Sequence, residues 1–190
     1  MNNLSNTKNL FLCGPRLCGK STLLKRYLEP CRQLIGGYFV QRLYLAGVCQ
    51  AFRMVDINRS EEYLLNKITT SIDHEDNVLF EIGERRIMLE TFEILGVTTL
   101  QKALYNTQKK LIVMDELGRL EEKAPQFKAI VCEALDCPKP VLGVIKDESR
   151  PFLDRVRSRE DVEVLDWTIL PYKVIENKIV DFLGIAGVKC

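Results

Sequence analysis

Residues 14–21 read Gly-Pro-Arg-Leu-Cys-Gly-Lys-Ser and satisfy the pattern G-x-x-x-x-G-K-[ST] at every fixed position. An apolar run of strand length, residues 9–13, precedes this stretch, and residues 20 to about 28 follow it with apolar side chains at helical spacing. Glycines between a strand and a helix let the backbone curl so that successive N–H groups point at phosphate oxygens. The stretch therefore predicts a phosphate-binding loop.

The side chains of this loop have distinct expected roles. Lys20 would place its ammonium group on the outer phosphates, and Ser21 would give its hydroxyl to Mg²⁺, the expected cofactor. The N-terminus of the following helix adds about half a positive charge. The predicted nucleotide-binding residues are Gly14, Pro15, Arg16, Leu17, Cys18, Gly19, Lys20, Ser21 and Thr22.

A pair of acids ends a second buried strand. The apolar residues 111–114 run directly into Asp115 and Glu116. In isolation such a pair is more often a strand end in solvent, but nucleotide chemistry at a phosphate-binding loop needs an acid at a neighbouring strand end. We therefore expect Asp115 to join Ser21 on the metal side, and Glu116 to polarise the attacking water. The predicted catalytic residues are Lys20, Asp115 and Glu116.

Buried strands alternate with helices along most of the remaining sequence. Strands are predicted at residues 141–145 and 162–165, and helices at 98–105, from 125, at 152–156 and at 172–183. This alternation is typical of an α/β fold with a mainly parallel sheet and helices on both faces. Strand–turn–strand patterns between about 36 and 95 interrupt it and predict a β-hairpin insertion. We expect residues 1–190 to form a single domain.

The composition excludes several classes of protein. The 190 residues are 46% hydrophobic and carry 27 basic and 26 acidic side chains, which gives a net charge of +1. Because a generic polyanion binder shows a basic surplus, we expect no nucleic acid partner. No apolar run approaches the roughly 18–20 residues that span a bilayer, so no membrane association is expected.

The cysteines and the first residues favour the cytoplasm as the location. Seven cysteines cannot all pair, and their spacing gives no disulfide framework. Residues 1–8 lack the charged start and apolar stretch of a secretion signal. The one histidine, His74, lies in a polar stretch that indicates a loop, so no histidine-based catalytic triad is expected.

Across about residues 10–168 the sequence resembles the small P-loop nucleoside-triphosphatases of thermophilic prokaryotes and their animal relatives, known as cancer-related nucleoside-triphosphatase. Three blocks carry the resemblance: the loop at 14–23, a glycine-aromatic hairpin that begins at Gly37, and residues 115–121. The last block, Asp-Glu-Leu-Gly-Arg-Leu-Glu, is similar to the family signature D-E-I-G-K-M-E. The resemblance implies a RecA-like core that hydrolyses ATP, GTP and other nucleoside triphosphates slowly with Mg²⁺. It also makes Glu121 a further candidate for the site.

The sequence departs from the family pattern at several positions. Leu17 replaces a glycine that is usual in the loop, and the Asn-Arg pair usual after the last strand is not evident after Thr168. Residues of other types replace the usual polar, charged or glycine residues of the hairpin at Gln41, Tyr44, Cys49 and Ala51. These departures indicate a divergent member and leave the base preference open.

The source of a positive charge for the transition state also stays open. Arg119 lies inside the signature block and is one candidate. A second group follows the strand at 141–145 and consists of Arg150, Arg155, Arg157 and Arg159. Because basic and acidic residues balance between 146 and 161, a salt-bridged helix is the favoured interpretation of that group.

Two rival functions remain beside hydrolysis. A nucleoside or nucleotide kinase would use the same loop to transfer phosphate to a second substrate, and a nucleotide-dependent switch would bind nucleotide with negligible turnover. No acceptor-binding arginine cluster is evident in the sequence, which ranks the kinase second. The oligomeric state is left open.

Overall fold

The computed structural model describes residues 7–59, 67–73 and 75–188, so His74 itself lies outside the described residues. Within these ranges the strands form one nine-stranded sheet. The strands are β1 (Asn9–Cys13), β2 (Ile35–Leu45), β3 (Val48–Asp56), β4 (Lys67–Ile68), β5 (Val78–Glu81), β6 (Arg86–Ile87), β7 (Leu111–Leu117), β8 (Val141–Ile145) and β9 (Val162–Asp166). The α-helices are α1 (Lys20–Leu28), α2 (Val97–Tyr105), α3 (Pro125–Asp136), α4 (Pro151–Arg157) and α5 (Tyr172–Ile185).

One half of the sheet is parallel and runs in the order β2-β7-β8-β1-β9. Every residue of β1 and β8 is buried, which explains why these strands are continuous apolar runs in the sequence. Helices cover each face: one core cluster includes Phe127 of α3, and another includes Leu24 of α1 and Ile175 of α5. The expected α/β fold with a mainly parallel sheet is confirmed.

This strand order places the predicted site at one edge of the sheet. β8 lies between β1, which leads into the phosphate-binding loop, and β7, which ends in the acid pair. Because the three strands are parallel, their carboxyl ends meet at the same edge. Ligands of open α/β sheets bind outside this edge.

The other half of the sheet is antiparallel. β2 first pairs in parallel with β7, from Ile35 to Phe39, and then continues as a hairpin with β3. β5 and β6 extend the hairpin in antiparallel fashion, and β4 pairs with β2. β2 therefore belongs to the parallel half and to the antiparallel half, and the segment predicted as an insertion begins inside it.

The last residues of the segment predicted between about 36 and 95 are helical. Residues 91–96 form a π-helical turn that leads directly into α2. The turn buries Phe92, whose ring lies 5.4 Å from that of Phe127 on α3. Burial against α3 thus makes this stretch part of the helical layer, which the strand patterns in the sequence did not indicate.

Most cysteines in the described part of the chain are unpaired. Five are free thiols, namely Cys13, Cys18, Cys49, Cys132 and Cys137. Cys31 is disulfide-bonded, which the cysteine spacing did not predict. Among the described residues, every helix is too short or too polar to cross a membrane.

Candidate nucleotide site

The loop begins where β1 ends, and its first residue has no room for a side chain. A Cβ atom on Gly14 would lie 2.7 Å from Cβ of Trp167, and the φ angle of Gly14 is 138°. The Trp167 N–H donates to the carbonyl of Cys13 at 2.9 Å, which holds the two chain segments together. Glycine at position 14 thus lets the loop turn against the chain that follows β9.

Leu17, which replaces the usual glycine, keeps a backbone conformation typical of glycine. Its φ angle is 65°, in the left-handed region, and its side chain is 78% exposed. An L-residue with a side chain costs about 1–2 kcal/mol in this conformation. The substitution therefore preserves the path of the loop at an energetic cost, and it adds no packing contact in the core.

Lys20 is the first residue of α1, at the end of the loop, and is 8% exposed. Its ammonium group donates to the carbonyl oxygens of Gly14 and Pro15 at 2.8 and 2.6 Å. These bonds fold the lysine side chain back over the loop. Phosphate oxygens are stronger partners for an ammonium group than neutral carbonyls, so the same position suits a triphosphate.

Ser21 and Asp115 are 94 positions apart in sequence and in direct contact. The Ser21 hydroxyl donates to Oδ1 of Asp115 at 2.9 Å. Asp115 is 1% exposed, and burial, together with the neighbouring charge of Glu116, raises the pKa of its carboxyl group to about 7. The nearby ammonium groups of Lys25 and Lys20 oppose this rise.

This pair fits Mg²⁺ by its chemistry. Oδ2 of Asp115 is buried and makes no hydrogen bond within the described ranges, so one carboxylate oxygen stays available beside the hydroxyl of Ser21. Mg²⁺ prefers oxygen ligands and is usually held by one or two protein groups together with water and substrate phosphates. Groups of three or more His, Cys, Asp or Glu side chains that could hold a metal are absent from the part of the chain that the structure describes.

Glu116 follows Asp115 at a bulge in β7. The register with β8 shifts here: Asp115 pairs with Val144 and Leu117 with Ile145, so Glu116 is the extra residue of β7. The Glu116 side chain is 30% exposed and forms an ion pair with Lys146, with Oε1 2.8 Å from Nζ. The bulge thus leaves one acid buried and the next facing the site.

Glu121, the candidate implied by the family resemblance, is buried at 4% exposure. Its Oε2 accepts a hydrogen bond from the N–H of Gly118 at 3.0 Å. Burial raises the pKa of this carboxyl group to about 7, although the hydrogen bond from Gly118 opposes the rise. Glu121 therefore braces the turn after β7, whereas Arg119 in the same turn is exposed.

A cavity of about 1030 Å³ connects these residues to the antiparallel half of the sheet. Nine basic and three acidic side chains line it, which favours a polyanionic ligand. Four of the basic residues belong to no motif that the sequence indicates: Lys25, Arg42, Arg85 and Lys146. The Lys25 ammonium lies 5.2 Å from the centre of the Phe39 ring, and burial lowers its pKa.

The arginines that follow β8 have separate positions. Arg157 and Arg159 form ion pairs with Asp154 and Asp161, as the charge balance predicted. Arg150 lines the cavity and lies 3.9 Å from Glu148 at the closest ion-pair atoms. Arg150 from this group, together with Arg119 after β7, therefore remains a candidate cation at the site.

Comparisons with known proteins show which family the chain resembles in sequence and fold. A family model described as NTPase matches residues 9–180. Nucleoside-triphosphatase THEP1 of Thermotoga petrophila is 30% identical over 157 residues, which cover 83% of this chain and 82% of that protein. The protein of the same name from Thermotoga maritima is 26% identical over 174 residues, with 92% and 94% covered.

Two solved structures share the fold. THEP1 from the hyperthermophile Aquifex aeolicus superposes with a TM-score of 0.66 at 20% identity, over 92% of this chain and 98% of that chain. A human cancer-related nucleoside triphosphatase superposes with a TM-score of 0.67 at 23% identity, over 92% and 96%. The family model spans the loop, the acid pair and the sheet that joins them. The chain belongs to the NTPase family, as a divergent member.

Proposed function

We propose that this chain is a nucleoside triphosphatase that hydrolyses ATP, GTP and other nucleoside triphosphates to the diphosphate and phosphate. The single observation that carries the proposal is the 2.9 Å contact between Ser21 and Asp115, which joins the phosphate-binding loop to the acid pair. The names of the relatives support the reaction class. Residues 14–22 bind the nucleotide, and Lys20, Asp115 and Glu116 carry the chemistry.

Binding begins with an exchange of partners at Lys20. Its ammonium group leaves the carbonyls of Gly14 and Pro15 and takes up oxygens of the outer phosphates. The N–H groups in the first turn of α1, which have no partner within the helix, face the same phosphates. In the transition state these donors stabilise the charge that develops on the phosphate oxygens.

Mg²⁺ would be held by Ser21 and Asp115 together with the phosphates. When bound, the ion supplies charge neutralisation at the outer phosphates. Asp115 keeps its carboxylate in a buried position, and Ser21 fixes that carboxylate through Oδ1. The requirement for Mg²⁺ is part of this proposal.

Glu116 acts on the water that attacks in line. Its partly exposed carboxylate faces the cavity, where it accepts a hydrogen bond from the water and takes up its proton as the bond from water to the γ-phosphorus forms. The bond between that phosphorus and the bridging oxygen breaks in the same displacement, and the nucleoside diphosphate leaves. Asp115 cannot take this role, because it is buried and bonded to Ser21. Asp115 therefore acts on the metal side and Glu116 acts on the attacking water.

Three wider features complete the proposal. Residues 1–190 act as one P-loop domain, in which the antiparallel half supplies the far wall of the cavity. The cytoplasm, where nucleoside triphosphates are abundant, is the proposed location. Nucleic acid is not a substrate in this proposal.

The test is phosphate release from ATP, GTP, CTP and UTP, with and without Mg²⁺, for the parent chain and two variants. Lys20→Ala should lose about 10²–10³-fold in turnover, because the cation at the phosphates is gone. Glu116→Gln should still bind nucleotide and lose about 10²–10⁴-fold in kcat. Lys102→Ala, on the exposed face of α2, is the control and should match the parent.

Undiminished phosphate release from Lys20→Ala and Glu116→Gln would refute the assignment. Phosphate that appears on an added nucleoside or nucleotide faster than in water would replace hydrolysis with the kinase reaction. Tight nucleotide binding with almost no released phosphate from the parent chain would point to a switch.

A further inference from the structure

Lys146 occupies the one strand end between the phosphate-binding loop and the acid pair. It follows directly after β8, the strand between β1 and β7. Its N–H donates to the carbonyl of Leu117 at 2.9 Å, and its carbonyl accepts from the guanidinium of Arg157. The backbone of Lys146 is therefore fixed from two sides at the edge of the sheet where the site lies.

The side chain of Lys146 reaches Glu116 by crossing a glycine. A Cβ atom on Gly118 would lie 3.0 Å from Cδ of Lys146 and 3.4 Å from its Cε. Without that atom, the lysine stem lies across the turn after β7, and Nζ reaches Oε1 of Glu116 at 2.8 Å. The Lys146 side chain is only 21% exposed. Its contacts with the turn at Gly118 therefore restrict its conformation.

Glu116 needs such a partner for two physical reasons. It is the extra residue of a bulge, so the strand ladder does not set the direction of its side chain, and a glutamate has three rotatable bonds. It also lies within a cluster of acids, next to Asp115 and near Glu121, each of which is buried. Repulsion from that cluster would turn the carboxylate away from the site, and the ammonium of Lys146 opposes this repulsion.

We propose that Lys146 is the positioning residue of this site: its ammonium group holds the Glu116 carboxylate towards the cavity, in the orientation in which it receives the attacking water. This inference rests on the proposed function, since it gives Glu116 the role of proton acceptor. Lys146 acts through Glu116 and leaves the phosphates to Lys20 and the loop. Neither the loop pattern nor the acid signature includes it.

The first experiment separates kcat from KM. Lys146→Met keeps most of the side-chain volume and removes the charge, so kcat should fall about tenfold to a hundredfold while KM for nucleotide stays within about twofold. Lys146→Arg restores a cation at the same place and should recover most of the loss. Lys102→Met removes a lysine from the exposed face of α2, away from the residues that line the cavity, and serves as the matched control.

A lysine that merely stabilises the fold would behave differently. Its loss would lower the melting temperature and nucleotide binding together, and arginine would not restore kcat selectively. An unchanged kcat in Lys146→Met, or an equal fall in Lys102→Met, would overturn the proposal. So would a rise in kcat, because the lysine would then restrain Glu116 from reacting.

The second experiment combines Lys146→Met with Glu116→Gln. If Lys146 acts through Glu116, the double variant should be no slower than Glu116→Gln alone. A further loss of tenfold or more in the double variant would mean that Lys146 acts on the phosphates directly, which overturns the positioning role. Full activity in Glu116→Gln alone would contradict the proposed function instead, so the two failures are distinguishable.

Discussion

The two halves of the sheet contribute to the site in different ways. The parallel half ends in the loop, the acid pair and Lys146, which contact one another at hydrogen-bond distances. The antiparallel half provides the opposite wall of the cavity, with Arg42 lying 6.0 Å from the ring of Phe52. The parallel half therefore has a fixed geometry suited to chemistry, and the antiparallel half offers charge and apolar surface suited to binding.

The largest expected effect comes from adding one methyl group at the loop. Gly14→Ala places a Cβ atom 2.7 Å from Trp167, at a φ angle of 138°. We expect nucleotide binding and phosphate release to be lost, and the free energy of unfolding to fall by about 1–3 kcal/mol.

The matched control for that change lies in the antiparallel half. Gly47 in the β2–β3 turn has a φ angle of 79° and open space around its Cβ position. Gly47→Ala should therefore cost about 1–2 kcal/mol and leave nucleotide binding intact. Urea denaturation measures the free energy of unfolding, and nucleotide titration measures binding. Equal loss of nucleotide binding in Gly14→Ala and Gly47→Ala would contradict the different roles proposed for the two halves of the sheet.

An intermediate effect concerns pH, because one acid in each half has a shifted pKa and the two shifts have opposite directions. Burial raises the pKa of Glu121 to about 7 from an ordinary value of 4.5. The folded chain then binds more protons than the unfolded chain between these values, so this group makes stability fall as pH rises from about 4.5 to about 7. Glu121→Gln should flatten that fall in a series of urea denaturations.

Glu75 in the antiparallel half should show the reverse. Burial alone would raise its pKa, but hydrogen bonds from Thr69 and Lys67 and the charges of Lys67 and Arg53 lower it overall. Its contribution to stability is therefore present above the ordinary carboxyl pKa and is lost as pH falls through the lowered value. Glu75→Gln should reduce the loss of stability at acidic pH in the same urea denaturations. The same change in pH dependence in Glu75→Gln and Glu121→Gln would contradict the opposite pKa shifts of these two acids.

The smallest expected effect compares two residues with left-handed backbones. Leu17 in the loop has a φ angle of 65°, and Ala46 in the hairpin turn has one of 49°. Replacing each by glycine removes about 1–2 kcal/mol of unfavourable backbone energy from the folded chain. Glycine also raises the conformational entropy of the unfolded chain, which lowers the free energy of unfolding by about 0.4–1 kcal/mol. Each variant should therefore gain roughly 1 kcal/mol or less in unfolding free energy.

Only one of these two substitutions should alter the KM for nucleotide. Leu17→Gly alters the flexibility of the phosphate-binding loop, so KM should change, whereas Ala46→Gly lies at the tip of the hairpin and should leave KM as it is. Parallel stability and KM measurements test this, and a KM shift in Ala46→Gly would show that the hairpin tip influences the loop.

The sequence predicted the parallel half well because its signals are local. A buried strand, a glycine-flanked loop and a helix follow one another within residues 9–28, and the acids follow directly after an apolar run. The contact between Ser21 and Asp115 was also predictable, because parallel strands end at one edge.

The missed residues depend on the register of strands that are distant in sequence. Lys146 meets Glu116 only because β8 lies beside β7 and a bulge shifts their pairing. Arg42 and Arg85 reach the cavity through the path of the hairpin. A signal for Lys146 existed nonetheless: it follows an apolar strand of five residues, as Asp115 follows one of four.

The close approach of Gly14 to Trp167 has a practical consequence. The chain contains a single tryptophan, and its backbone is bonded to the residue before the loop, with the ring 5.9 Å from that of Tyr172. Any rearrangement of the loop around a ligand alters the surroundings of this indole. Intrinsic tryptophan fluorescence should therefore report nucleotide binding without an added dye. The signal comes from a single residue, Trp167.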